Sequence, residues 1–358
     1  MTALNGADLV VDVHAHALLP AIDDIVAGHP MLDVQSRLER IRNGDEAMPI
    51  NGEMVRTRLP RLLELAPRLA AMDEARVDVQ IVSPSPNQYH YWADPELARR
   101  ICDAANASIA ALVDQAPDRL VGIGMVPLQH PLLAAEILDE AVSRHGLVGV
   151  ELSSHAPTGD GGTVELSDFA LDEFWSRAST LDAVVLLHPF GCSLDARLDR
   201  YYLSNIVGQP VENAVALSHL IFSGVLDRFP DLRLIAAHGG GYLPTYLGRS
   251  DHGWQVRPDA RTCEKPPSHY LRQIYFDSLV HTPDALRSLV AVVGAEHVLL
   301  GSDYPFDMGV ENPVDRLVEA GLSDADVQRI ASGNARDLGL LPKQAINVDR
   351  HATAHGGS

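Results

Sequence analysis

The sequence predicts an α/β chain closed into a (β/α)8 barrel, the TIM-barrel architecture, with an insertion after the first strand. Three observations predict it. Eight short runs rich in Val, Ile and Leu recur along the 358 residues. Segments of helical spacing separate most of them, and strand–helix alternation implies parallel strands joined by right-handed crossovers. The runs are close to continuously apolar, as in strands buried on both faces. Eight such units in a chain of this length favour a closed barrel over an open doubly wound sheet.

Strands are expected over 9–14, 77–83, 119–126, 147–152, 183–188, 233–238, 273–279 and 297–302. Helices are expected over 59–75, 95–116, 131–145, 168–181, 210–228, 283–294 and 313–320. Asp168 can cap the segment before Phe169, and Pro283 stands near the start of its helix, where the missing N–H removes no helical bond. Residues 20–58 interrupt the alternation, with Arg56 and Arg58 at the far end. A stretch that long contributes structure over an active site. One barrel domain is expected over 1–342, followed by a flexible, polar tail over 343–358.

The composition narrows the function. At 46% hydrophobic the chain can bury a large core. A formal net charge of −20 argues against nucleic-acid phosphates or an anionic membrane as partner. Three cysteines, Cys102, Cys192 and Cys263, lie far apart and form neither a disulfide framework nor a C-x-x-C metal site. The N-terminus carries no cationic segment followed by an apolar stretch, and no run approaches the roughly 18 apolar residues needed to span a bilayer. A soluble cytoplasmic protein is expected. The two lysines, Lys265 and Lys343, lie beside prolines, which excludes most Schiff-base chemistry. It also removes the carboxylated lysine that bridges two metals in many barrel hydrolases.

Four strand ends carry candidate ligands. Leu9–Val13 runs into His14 and His16, whose spacing of two puts both on one face of an extended strand. Ala183–Leu187 runs into His188-Pro189, Leu232–Ala237 into His238 and three glycines, and Val298–Ser302 into Asp303-Tyr304-Pro305. In a closed barrel strand eight lies against strand one, with strands five and six across the mouth, so all five side chains can converge on one ion. Nitrogen and oxygen donors without thiolate suit Zn²⁺ best, with Mn²⁺ or Fe²⁺ as alternatives. Glu151 on the fourth strand could bridge a second metal or equally face the helices.

The H-x-H, the His-Pro of strand five, the A-H-G-G-G turn and the S-D-Y-P-F segment resemble the amidohydrolase superfamily. More narrowly, they resemble its metal-dependent nonoxidative decarboxylases of the aminocarboxymuconate-semialdehyde decarboxylase type. The likeness covers nearly the whole chain, including Tyr91-Trp92-Ala93, Val121-Gly122-Ile123-Gly124, Phe229-Pro230-Asp231-Leu232, Asp251-His252-Gly253-Trp254 and Arg257-Pro258-Asp259. It implies that His14, His16, His188 and Asp303 ligate one zinc together with a water, and that His238 is the catalytic acid/base beside Asp303. It implies two substrate-carboxylate arginines, matching Arg56 and Arg257, the latter delivered across a homodimer. Trp92 and Phe190 would be pocket walls. Two departures alter those walls: Phe190 stands where the family's decarboxylase has Trp, and Asn205 replaces a second aromatic.

The expected reaction is therefore loss of CO2 from an unsaturated or aromatic carboxylic acid. The His238-Gly239-Gly240-Gly241 segment also resembles a lipase oxyanion hole, but no G-x-S-x-G nucleophile elbow follows it. A metal-dependent hydrolase or hydratase using the same water remains the alternative.

Overall fold

The computed structural model describes residues 9–158 and 161–342. The tail expected over 343–358 lies outside them. Eight parallel strands form the barrel: β1 (Val11–Ala17), β2 (Val79–Pro84), β3 (Leu120–Gly122, continuing as Gly124–Met125), β4 (Gly149–Leu152), β5 (Val184–Leu187), β6 (Arg233–Ala236), β7 (Ile274–Asp277) and β8 (Val298–Leu299). Each pairs with the next, as Val11 with Val79, Gln80 with Leu120, Gly124 with Val150, Gly149 with Val184, and Val184 with Arg233. Ile274 pairs with Leu234, and Phe276 with Val298.

The ring closes between the first and last strands. Val13 N donates to Leu300 O at 2.9 Å, Asp303 N to His14 O at 2.8 Å, and His16 N to Tyr304 O at 2.8 Å. The same bonds that remove the sheet edge therefore carry the chain's first and last candidate ligands to one place.

Period-2 alternation divides the core into two layers. Val11, Val13, Val79, Ile81, Val121, Ile123, Val184, Leu186, Ile235 and Leu299 fill the barrel interior. Their neighbours Val82, Val150, Leu152, Val185, Leu187, Leu234 and Phe276 pack outward under the helices. This is why the strands read as continuously apolar. Some of the helices begin where proline and a capping side chain coincide. Asp94 accepts from Leu97 N ahead of Pro95–Val113, and Thr282 accepts from Ala285 N ahead of Pro283–Val293. Asp168 accepts from Ala170 N, as its spacing suggested.

Several elements were not anticipated. An antiparallel hairpin pairs His155–Pro157 with Thr163–Glu165. A helix over Leu243–Val256 joins β6 to β7; Pro244, Gly248 and Gly253 mask its periodicity. The insertion is helical, over Pro20–Val26 and then Pro30–Leu63, the latter broken at Gly44 (φ 77°). A Cβ at Gly44 would collide with Asp199 O, so glycine lets the insertion press against the loop after β5. Ser204 Oγ donates to Asn43 Oδ1 at 2.6 Å beside that contact. The insertion thus roofs the carboxyl end of the barrel. Among the described residues no helix is long and apolar enough to cross a membrane. Cys102, Cys192 and Cys263 are all free and buried.

Candidate active site

The five strand-end side chains meet. On β1 the register shifts between Asp12 and Ala15; His14 within that irregularity and His16 past it turn into the barrel mouth. Their Nε2 atoms stand 3.1 Å apart, and Asp303 Oδ1 lies 3.5 Å from His14 Nε2 and 3.3 Å from His16 Nε2. The His188 ring centre is 5.0 Å from that of His14, 4.9 Å from His16 and 5.0 Å from His238. One donor atom from each of His14, His188, His238 and Asp303 falls within 4.8 Å of the others.

These spacings fit one ion. A metal with ligands at about 2.1 Å sets donor–donor edges of about 3.0 Å in an octahedron and about 3.4 Å in a tetrahedron. Three of the observed edges lie in or beside that range. Neither His188 nitrogen nor Asp303 Oδ1 has a hydrogen-bond partner, although all three are buried. Orphaned buried polar atoms are costly, and one His188 nitrogen with Asp303 Oδ1, left unpaired within a cluster of donors, suits a cation. Burial, then the neighbouring imidazoles, hold His188 well below its usual range, in the neutral form that coordinates metal. Burial would raise Asp303, but the surrounding histidines keep it well below the ordinary carboxylate range and ionised.

A residue missed in the sequence supports this cluster. Asp277 ends β7, its Oδ2 lying 2.6 Å from His14 Nδ1. Its Oδ1 accepts from Gly239 N at 2.8 Å and Leu279 N at 3.1 Å. A buried carboxylate behind a coordinating imidazole fixes its tautomer and orientation. The signal was the one used elsewhere, a polar residue closing an apolar run. Burial lowers His14, but facing Asp303 and Asp277 carry it up to about 9.

His238 and Asp303 both adopt left-handed backbone conformations, at φ 55° and 57°. Non-glycine residues pay strain there and are held by their surroundings. The glycines after His238 serve this turn: a Cβ at Gly241 would strike Pro210 O, and one at Gly240 would meet the Phe276 ring at 2.7 Å. His238 Nε2 lies 3.8 Å from Asp303 Oδ2. Both side chains open onto two cavities. One, of about 560 Å³, lies under the insertion and includes Gln35, Arg42, Asn43, His90, His188 and Phe190. The other, of about 350 Å³, is lined by Tyr242, Leu279, Val280, His281, Leu289 and Val292.

Two expected contacts are placed elsewhere. Arg56 lines neither cavity; its side chain is 70% exposed on the outer face of the insertion helix, where Glu53 pairs with it at i−3. Arg42, on the other side of the break at Gly44, lines the larger cavity instead. Trp92 is not a cavity wall: its Nε1 donates to Gln35 Oε1 at 2.8 Å and its ring stacks on His29, fastening the insertion. Arg257 lies outside both cavities of its own chain, exposed and paired with Asp259 at 2.8 Å. Phe190 does line the larger cavity, edge-on to Tyr89.

Residues 11–338 match the family model described as amidohydrolase. The 2-amino-3-carboxymuconate-6-semialdehyde decarboxylase of Dictyostelium discoideum is 33% identical over 284 residues, covering 78% of this chain and 77% of that protein. Among solved structures, a 2,6-dihydroxybenzoate decarboxylase complexed with 2,6-dihydroxybenzoate superposes with a TM-score of 0.75 at 25% identity, covering 93% of this chain and 100% of that one. A dihydroxybenzoic acid decarboxylase from Polaromonas sp., with bound manganese and the inhibitor 2-nitroresorcinol, has the same fold, with a TM-score of 0.77 at 24% identity over 92% of this chain and 96% of that one.

Proposed function

The chain belongs to the amidohydrolase family, and within it we infer a metal-dependent nonoxidative decarboxylase, a carboxy-lyase acting on an unsaturated or aromatic carboxylic acid. The observation that carries the reading is the convergence of strand-end donors around orphaned His188 and Asp303 atoms. We assign His14, His16, His188 and Asp303 as the metal ligands. Zn²⁺ is proposed from the donor set; the manganese in the Polaromonas neighbour supports Mn²⁺, and Fe²⁺ suits the same donors. When bound, the ion supplies Lewis-acid stabilisation of negative charge developing on a substrate oxygen.

The chain's own residues supply the rest. Decarboxylation breaks the bond from ring or alkene carbon to carboxylate carbon. CO2 departs, the electron pair stays on the remaining carbon, and a proton must reach that carbon. His238 is the assigned donor, because it opens onto both cavities and stands further from Asp303 than His14 or His16 does. Asp303 Oδ2 faces its Nε2 at 3.8 Å. Arg42 is the one arginine or lysine among the described residues lining either cavity, so it is proposed to orient an anionic substrate despite the net charge of −20. Phe190 supplies an apolar wall.

We also propose a homodimer in which Arg257 reaches the site of a second copy. The helix that ends at Arg257 exposes Tyr242 at its start, then Tyr246 and Val256, an apolar face suited to such a contact. A single catalytic domain over 1–342, a tail over 343–358 and a cytoplasmic location complete the reading. The test is CO2 release from a panel of aromatic and muconate-like acids, with metal analysis. About one divalent ion per chain and CO2 release abolished by chelation are expected. Water incorporation without CO2 would replace decarboxylation by hydrolysis or hydration.

A further inference from the structure

We propose that Glu151 is a positioning residue for His16, a second buried carboxylate standing behind that imidazole as Asp277 stands behind His14. The inference rests on the metal reading above. Glu151 ends in the barrel mouth from β4 and is fully buried. It lines neither cavity, so it touches no substrate and acts through its neighbours. Its Oε1 accepts the Tyr89 hydroxyl. Its Oε2 has no hydrogen-bond partner and lies 3.5 Å from His16 Nδ1.

An imidazole that offers Nε2 to a cation carries its proton on Nδ1. His16 turns Nε2 toward His14 and Asp303, so Nδ1 is the donor that needs a fixed acceptor. Around it stand Ser83 Oγ at 2.9 Å, Pro84 O at 3.3 Å and Glu151 Oε2 at 3.5 Å. Ser83 Oγ in turn lies 3.2 Å from Ala15 O, to which it donates. Glu151 is the carboxylate of this set. The Tyr89 hydroxyl also lies 3.3 Å from His188 O, so one phenol ties the carboxylate to the strand end carrying a second ligand.

The charge needs a reason. A glutamine would fill the same volume and still accept from Tyr89, whereas a buried carboxylate with one unpaired oxygen is costly on its own. That cost is offset where a divalent cation sits beyond the imidazole. Asp303, Asp277 and Glu151 then place three carboxylates around one dication, raising its affinity.

The experiment is chelator competition for Zn²⁺ alone on full-length protein, with thermal unfolding of the apo form as the companion reading. Glu151→Gln is expected to weaken Zn²⁺ binding about 10–100-fold, while the apo protein unfolds no earlier than wild type. Tyr89→Phe keeps the charge but frees the carboxylate, and a smaller loss of a few fold is expected. Wild-type protein that takes up no Zn²⁺ would overturn the metal reading itself. Wild type that binds while Glu151→Gln binds within twofold of it overturns this inference alone. If Glu151→Gln does not fold, Tyr89→Phe decides, and an affinity within twofold of wild type then overturns the role.

Discussion

Replacing Glu212 with glutamine should destabilise the fold by about 3 kcal/mol at pH 7, and the loss should shrink in acid. Glu212 sits on the Gln209–Phe222 helix with its side chain only 3% exposed. Its Oε1 accepts from Ser193 N at 3.0 Å and Ser193 Oγ at 3.2 Å, and its Oε2 accepts from Ser154 Oγ at 3.0 Å. His155 Nδ1 lies 3.1 Å from Oε2. One carboxylate thus fastens the loops after β4 and β5 beside the site. Burial pushes its pKa up, but the His155 and Ser193 bonds outweigh that and bring it from 4.5 to about 2. A difference of about 2.5 pKa units at 1.36 kcal/mol each is about 3 kcal/mol.

The sign follows from linkage. The folded state holds the carboxylate ionised below the pH at which the unfolded chain protonates it. Its contribution is therefore complete above pH 4.5 and is lost as the pH falls toward about 2. Urea unfolding of apo wild type and Glu212→Gln should differ by about 3 kcal/mol at pH 7 and by about 2 kcal/mol at pH 3.5. Equal stabilities at pH 7, or a gap that widens in acid, would refute the reasoning.

Changing His238 to alanine should leave the metal bound while turnover drops about 10²–10⁴-fold; near-normal rates would remove its proton-transfer role. Arg42→Gln should raise KM about 10–100-fold, the equivalent of one charge-assisted contact, with Arg56→Gln within twofold of wild type. The opposite ranking would return the substrate to Arg56. Heterodimers of Arg257→Ala chains with His14→Ala chains should recover part of the activity that each homodimer lacks, and proven heterodimers without recovery would argue against an arginine crossing between copies.

Much of the site was legible because metal chemistry and barrel geometry use the same positions. His14, His188, His238 and Asp303 each close an apolar run, and a closed barrel gathers strand ends at one rim. Asp277 obeyed the same pattern but was passed over, since an aspartate closing a strand has many structural uses. Arg42 and Trp92 were illegible. Which arginine of a helical insertion faces inward depends on the break at Gly44 and on the packing of Asp199 against it, a contact that is not local. The Leu243–Val256 helix escaped notice because glycine and proline weaken a helical pattern that tertiary packing rescues.

Residue type and period by themselves determined the strands, their parallel order, and the imidazoles and carboxylate that a divalent ion would select. Those follow from burial on two faces and from donor chemistry, which are properties of short segments. Only the tertiary structure decided that Asp277 backs His14, that Glu151 stands behind His16, and that Arg42 rather than Arg56 faces the cavity. Each joins residues tens to hundreds of positions apart, and distances of that kind are set by ring closure and packing rather than by local sequence.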